Sequence, residues 1–244
     1  MLKDSMIATG RWFFERRGTL PYLMLPLFIA GLINFRYPGG SHALGRAWEF
    51  LCLGVSFSGL AVRIAAVAFA PRGTSGRGKS LQAETLSTSG MYSIVRHPLY
   101  LGNFLIFTGA LMDLGQWQLV LIGALAYWLY YERIMLAEEA FLEQKYGESF
   151  RNWAVATPAV LPRFRQWRAP GLEFSVRDVL KREHTTFFII VSLFTAIEVV
   201  GNFVAGGRWE FDPVWRAIFL ASLVFYLVIR TLKIYSSLLK VARP

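Results

Sequence analysis

Residues 98–131 read PLYLGNFLIFTGALMDLGQWQLVLIGALAYWLYY, and residues 132–162 continue ERIMLAEEAFLEQKYGESFRNWAVATPAVLP. The first stretch carries one charged residue, Asp113, at the turn between two apolar runs, 99–114 and 117–131. Each run falls slightly short of the roughly 17 residues that a helix needs to cross a bilayer. The pattern therefore predicts a tight helical hairpin that tilts, thins the bilayer or continues as helix into water. The second stretch is charged but keeps a helical period. Met135, Glu138 or Glu139, Leu142 and Tyr146 recur at three- and four-residue steps and share a face. The second arm of the hairpin is expected to leave the bilayer as one helix running to about Trp153, with Glu138 and Glu139 at the membrane boundary. Pro158 and Pro162 end it.

On either side of the hairpin, four further apolar segments appear at 20–35, 47–70, 186–204 and 214–229, in a chain of 244 residues that is 55% hydrophobic. Only helices or closed barrels satisfy the backbone in lipid. The expected fold is an all-α polytopic transmembrane protein of about six spans, with the tight hairpin as third and fourth. Residues 1–18 carry Lys3, Arg11, Arg16 and Arg17 but no long apolar run. They read as an interfacial helix with Met6, Ile7, Phe13 and Phe14 on its apolar side, and not as a cleavable signal peptide. Ser175 through Asp178 looks like a capping box opening a short amphipathic helix, with Val176, Val179 and Leu180 inward, before the fifth span.

Charge orients the chain. With six spans and a cytoplasmic N-terminus, only Arg36, Arg46, Arg208 and Arg216 edge the outer loops, and Arg63 lies inside the membrane. The remaining Lys and Arg fall on the cytoplasmic side, as the positive-inside rule demands. Both termini are thus expected in the cytoplasm, and the membrane is read as a prokaryotic inner membrane. The net charge of +10, from 26 Lys and Arg against 16 Asp and Glu, reflects topology and attraction to anionic lipid, not nucleic-acid binding.

Some motifs are excluded. Residues 73–80, GTSGRGKS, match the P-loop pattern letter for letter. A P-loop needs a strand before it and a helix after it to cradle phosphates on backbone amides. Here an apolar membrane segment and Pro71 precede it, so the match is a decoy. The three histidines and the lone Cys52 have no metal-ligand spacing, and no metal is expected.

The polar groups at the boundary remain. Pro98 pushes His97 out of helical geometry and is favoured at the first position of a new helix. The third span should start there, its amides and dipole facing the boundary beside Arg96 and His97, a place suited to a carboxylate or phosphate. A plain positive-inside anchor explains the same residues. Glu138 and Glu139 fit a solvated helix face, or hydrogen-bond acceptors for ribose hydroxyls or an ammonium, or partners of Arg96. Arg63 either snorkels to the interface or serves a site. Glu198 with Asn202, one turn apart in the fifth span, reads as a head-group contact or as a structural pair with a partner such as Arg63.

Taken together, Gly90-x-Tyr92-x-x-x-Arg96-His97-Pro98-x-Tyr100-x-Gly102, then Glu138-Glu139-x-x-Leu142-x-x-x-Tyr146-Gly147, then Pro158-x-x-Leu161-Pro162, resembles the isoprenylcysteine carboxyl methyltransferase family and its phospholipid methyltransferase relatives. The resemblance covers residues 90–164. It implies S-adenosylmethionine as cofactor, S-adenosylhomocysteine as product, a lipophilic methyl acceptor and a cofactor pocket at the cytoplasmic interface. It carries cofactor binding onto Arg96, His97, Pro98, Tyr100, Glu138, Glu139, Leu142, Tyr146 and Leu161, the last in a segment that folds back over the cofactor. Arg96, Arg163 and Arg63 are candidates to place an acceptor carboxylate or phosphate, and Glu138 or Glu139 to act as base for an amine. Phe150 and Trp153 stand where family members often have Tyr, Ala154-Val155-Ala156 where they have basic residues, and Arg163 where an apolar residue is common, which leaves the acceptor open. A membrane reductase using NADPH and a non-catalytic lipid-binding protein are the alternatives. The corresponding division is 1–18, an interfacial helix; 19–89, two spans and a loop; 90–165, the cofactor core; and 166–244, an amphipathic helix with two last spans.

Overall fold

The computed structural model describes residues 1–37, 42–70, 81, 83–207 and 209–239, and the P-loop-like stretch 73–80 lies outside them. Eight α-helices follow in order: α1 Leu2–Glu15, α2 Leu20–Ile33, α3 His42–Ala68, α4 Pro98–Asp113, α5 Trp117–Tyr146, α6 Glu148–Ala156, α7 Val176–Gly206 and α8 Pro213–Tyr235. No strand occurs among the described residues. Among the described residues four helices, within α3, α5, α7 and α8, are long and apolar enough to cross a membrane. The chain is an integral membrane protein of the all-helical polytopic class.

A first correction is to length and not to number: α2 is shorter than its apolar segment, while α4 is short as expected. The apolar segments do form six helices, but α2 has 14 residues and α4 has 16. At 1.5 Å per residue these are about 21 and 24 Å long, against a hydrocarbon core of about 30 Å. Pro98 fixes the start of α4, and the turn at Leu114 and Gly115 fixes its end. A second correction concerns 176–206. The short amphipathic helix and the fifth span are one continuous 31-residue helix, α7, capped by the Ser175 hydroxyl accepting from the Asp178 amide. Val176 is exposed instead of inward. A third concerns the helix leaving the bilayer: Gly147, at φ +55°, breaks it, so α5 and α6 are separate. Only glycine adopts that conformation without strain.

The core is a sandwich of α3 and α4, covered by α7 on one side and α5 on another. Small residues let α3 and α4 approach closely, as at helix interfaces in lipid. A Cβ on Gly109 would sit 2.6 Å from the Cys52 carbonyl and 2.9 Å from the Ser56 amide. The Ser56 hydroxyl, buried at this contact, donates to the Ile106 carbonyl at 3.0 Å. From α7, Ile190 and Phe194 pack onto Cys52, Leu60 and Ala110, and Trp215 of α8 closes the cluster. α1 lies on the polar half of α5, where Phe13 stacks on Tyr130 at 4.6 Å and the Tyr130 hydroxyl donates to the Phe13 carbonyl. The Lys233 ammonium, near the end of α8, reaches the Lys181 carbonyl at the start of α7. Both ends of the described chain therefore lie at the same end of the bundle.

Candidate functional site

At that end, a short segment after the 3₁₀ turn Gly90–Ser93 is clamped before α4 begins. The Arg96 amide donates to the Pro158 carbonyl at 2.8 Å, the His97 amide to Ala159 at 3.2 Å and the Arg163 amide to Ile94 at 2.9 Å. These bonds tie the segment that follows α6 to the backbone of Ile94, Arg96 and His97. His97 is the N-cap residue of α4, in non-helical geometry because Pro98 follows.

The side chains then converge on α5. Glu139 accepts from Arg96 Nη1 at 3.3 Å and contacts His97 Nε2 at 2.9 Å. Glu138 accepts from the Tyr100 hydroxyl at 2.7 Å and lies 3.6 Å from His97 Nδ1. The Tyr127 hydroxyl donates to the Tyr100 carbonyl, which fixes the first turn of α4 against α5. His97 is buried, and burial alone would lower its pKa. The hydrogen bonds and charges of Glu138 and Glu139 outweigh this and raise it. Burial, helped by the Glu138 charge, pushes the Tyr92 phenol up to about 12, so it stays a neutral donor.

These groups line a cavity of about 360 Å³, within the usual range for small-ligand sites. Its polar wall is Arg96, His97, Glu138 and Glu139, and its aromatic wall includes Tyr92, Tyr100, Tyr131, Phe150 and Trp153. The Trp153 indole is fixed by donating to the Tyr92 carbonyl at 2.9 Å. The buried Nε of Arg96 has no hydrogen-bond partner among the described residues. The inner end holds Arg63, which donates from Nε and Nη2 to Glu183 at 2.8 and 2.7 Å and from Nη1 to the Asn103 amide oxygen at 2.7 Å.

Of the residues singled out in the sequence, Arg63, Arg96, His97, Pro98, Tyr100, Glu138, Glu139 and Leu142 line this cavity. Three do not. Arg163 is exposed, and Leu161, at 79% exposed, points away, because only the backbone of their segment is held against Ile94, Arg96 and His97. Tyr146 lies outside the cavity, where its hydroxyl donates to the Ala83 carbonyl at 3.0 Å. The pairing of Arg63 with Glu198 is also overturned. Glu183 takes Arg63, while Glu198 lies 15 residues further along α7, about 22 Å away, and accepts from Asn202. Reading 176–185 as a separate amphipathic helix hid Glu183. Asn103 was signalled by its place one turn after Tyr100, on the same face of α4. Arg17 and Arg182 also line the cavity.

Comparison with known proteins places these elements. Residues 50–149 match the model of the phospholipid methyltransferase family. The chain is 32% identical over 161 residues to a protein-S-isoprenylcysteine O-methyltransferase of Schizosaccharomyces pombe, an alignment covering 66% of this chain and 63% of that one. It is 38% identical over 84 residues to a cobalt-zinc-cadmium resistance protein of Cupriavidus metallidurans, covering 34% and 38%. A nickel-cobalt-cadmium resistance protein of Alcaligenes xylosoxydans xylosoxydans is 37% identical over 84 residues, covering 34% and 39%. The chain thus spans less than two thirds of the length of each of these relatives. No solved structure matches it.

Proposed function

We propose, from its match to the phospholipid methyltransferase family over residues 50–149 and its likeness to a protein-S-isoprenylcysteine O-methyltransferase, that the chain is a membrane methyltransferase that moves a methyl group from S-adenosylmethionine to a lipid or lipid-linked acceptor at the cytoplasmic face. One observation carries this reading. Glu139 of α5 is shared by Arg96 and His97 from the clamped segment, and the three form the polar wall of a cavity whose other wall is aromatic.

The donor set fits the cofactor. Glu138 and Glu139 present carboxylate oxygens to ribose hydroxyls, and the unpartnered Arg96 Nε offers a donor to a ligand oxygen. Phe150, Trp153 and Tyr92 offer flat faces to a purine. Bound there, S-adenosylmethionine supplies a methyl group on a positively charged sulfur, open to in-line displacement. The residues of the chain then align the acceptor, exclude water and fix charge. Methylating a carboxylate consumes charge, so a dry aromatic surround favours the step. A carboxylate or phosphate acceptor needs a cation for its oxygen, and Arg63 and Arg96 face the cavity. An amine acceptor needs a base, which Glu138 or Glu139 supplies.

In this reading residues 90–165 are the cofactor core, flanked by 1–18, 19–89 and 166–244. The excess of Lys and Arg supports cytoplasmic termini, and the two bacterial relatives support a prokaryotic inner membrane. Calorimetry on the detergent-purified chain tests the proposal. Saturable binding of S-adenosylmethionine and S-adenosylhomocysteine, weakened in Glu139→Ala, is expected. Binding of NADPH with no response to either adenosyl ligand overturns it in favour of a reductase.

A further inference from the structure

A second cavity, of about 590 Å³, opens at the other end of the bundle. α4 joins the two: Pro98 lines the first and Asp113, 15 residues on, lines the second, about 22 Å apart along the helix. Glu183 and Glu198 repeat that spacing on α7. The second wall holds five carboxylates, Glu49, Asp113, Glu198, Glu210 and Asp212, against one cation, Arg46. Asp212 is occupied in capping α8, where it accepts from the amides of Val214 and Trp215.

Two of the others are left wanting. Asp113 is only 6% exposed, and its carboxylate has no hydrogen-bond or ion-pair partner among the described residues. Glu198 gives one oxygen to Asn202, while its buried Oε2 has no partner there. A carboxylate taken from water without a partner is costly to bury. Here two face one cavity from α4 and α7. The remaining wall is aromatic: Phe35, Tyr37, Trp48 and Trp215. Among the described residues no three acids, histidines or cysteines lie close enough together to hold a metal ion. Spread carboxylates and ring faces suit a larger cation of low charge density.

We propose that this cavity binds an organic ammonium group of the choline or ethanolamine type, its charge balanced by Asp113, Glu49 and Glu198 and its alkyl groups packed on Trp48 and Trp215. The group is carried by a free amine or by the head of a membrane lipid. The site is independent of methyl transfer at the other end.

Choline and ethanolamine are titrated against the purified full-length chain, followed by tryptophan fluorescence and calorimetry. A saturable response is expected, weakened about tenfold or more by Asp113→Asn or by Glu198→Gln. Either variant alone suffices if the other does not fold. S-adenosylhomocysteine binding is measured in parallel and stays at the wild-type value, so failure of one site does not read as failure of the other. The free amines are then tested in nanodiscs of phosphatidylcholine, phosphatidylethanolamine or phosphatidylglycerol. Loss of the response only in the first two identifies a lipid head group as occupant, and an unchanged response identifies a free amine. No saturable response to either amine in detergent, or unchanged binding in both folded variants, overturns the proposal.

Discussion

Glu139 serves Arg96 and His97 at once, so Glu139→Ala leaves the Arg96 guanidinium and the His97 Nε2 without their acceptor in a partly buried wall. S-adenosylhomocysteine affinity should fall by about 10- to 100-fold, read by calorimetry. Glu138→Gln keeps an oxygen for the Tyr100 hydroxyl and should lose far less. The raised pKa of His97 predicts a pH dependence. Its charged form is favoured in the folded protein over the unfolded chain, where the value is about 6.5. That stabilisation is complete below the unfolded value and is lost as pH rises through the raised folded value. His97→Gln should flatten this part of a Tm-against-pH profile. Arg63→Met leaves Glu183 as a buried, unpaired charge and should destabilise by about 3–5 kcal/mol in a denaturation assay, with much of the loss recovered by adding Glu183→Leu. The motif residues were legible because each lies in a short local pattern. Glu183 was not, because its partner is 120 residues away.

Among the helices, α3 and α4 are held by a contact between backbones. Gly109→Ala places a methyl group against the Cys52 carbonyl and the Ser56 amide, neither of which can yield alone. We expect about 1–3 kcal/mol of destabilisation and a lower melting temperature. Gly54→Ala, in the same helix as Cys52 but with nothing near its would-be Cβ, should be neutral or stabilise by up to about 1 kcal/mol. The contrast separates packing from helix propensity. The hairpin turn and the start of α4 were readable from Asp113 and Pro98, since turn chemistry is local. The break at Gly147 was not, because the helical period runs on through it and only the backbone conformation marks the stop.

Across the molecule, both ends of the described chain lie at the end of the bundle that holds the Arg96–Glu139 wall, and the second cavity lies at the opposite end. With the buried Cys52 replaced by Ser, single cysteines at Lys3→Cys and Leu238→Cys should both be labelled by an impermeant thiol reagent from the cytoplasmic side alone. Labelling of one from each side contradicts the arrangement. The class of the molecule was already settled by its residue order: hydropathy and period are properties of a short stretch and its solvent, so six apolar helices and a charged extension of the fourth could be read directly. The same holds for polar groups that stand side by side along the chain, Arg96 with His97 and Glu138 with Glu139. Other facts emerge only once the helices pack. Arg63 meets Glu183 and not Glu198, Arg163 and Leu161 face away, and Asp113 and Glu198 share a second cavity. Such pairings depend on how far each helix slides and turns against its neighbours. That is fixed by side-chain volume at contacts such as Gly109 on Cys52, distant in sequence and invisible to any local pattern.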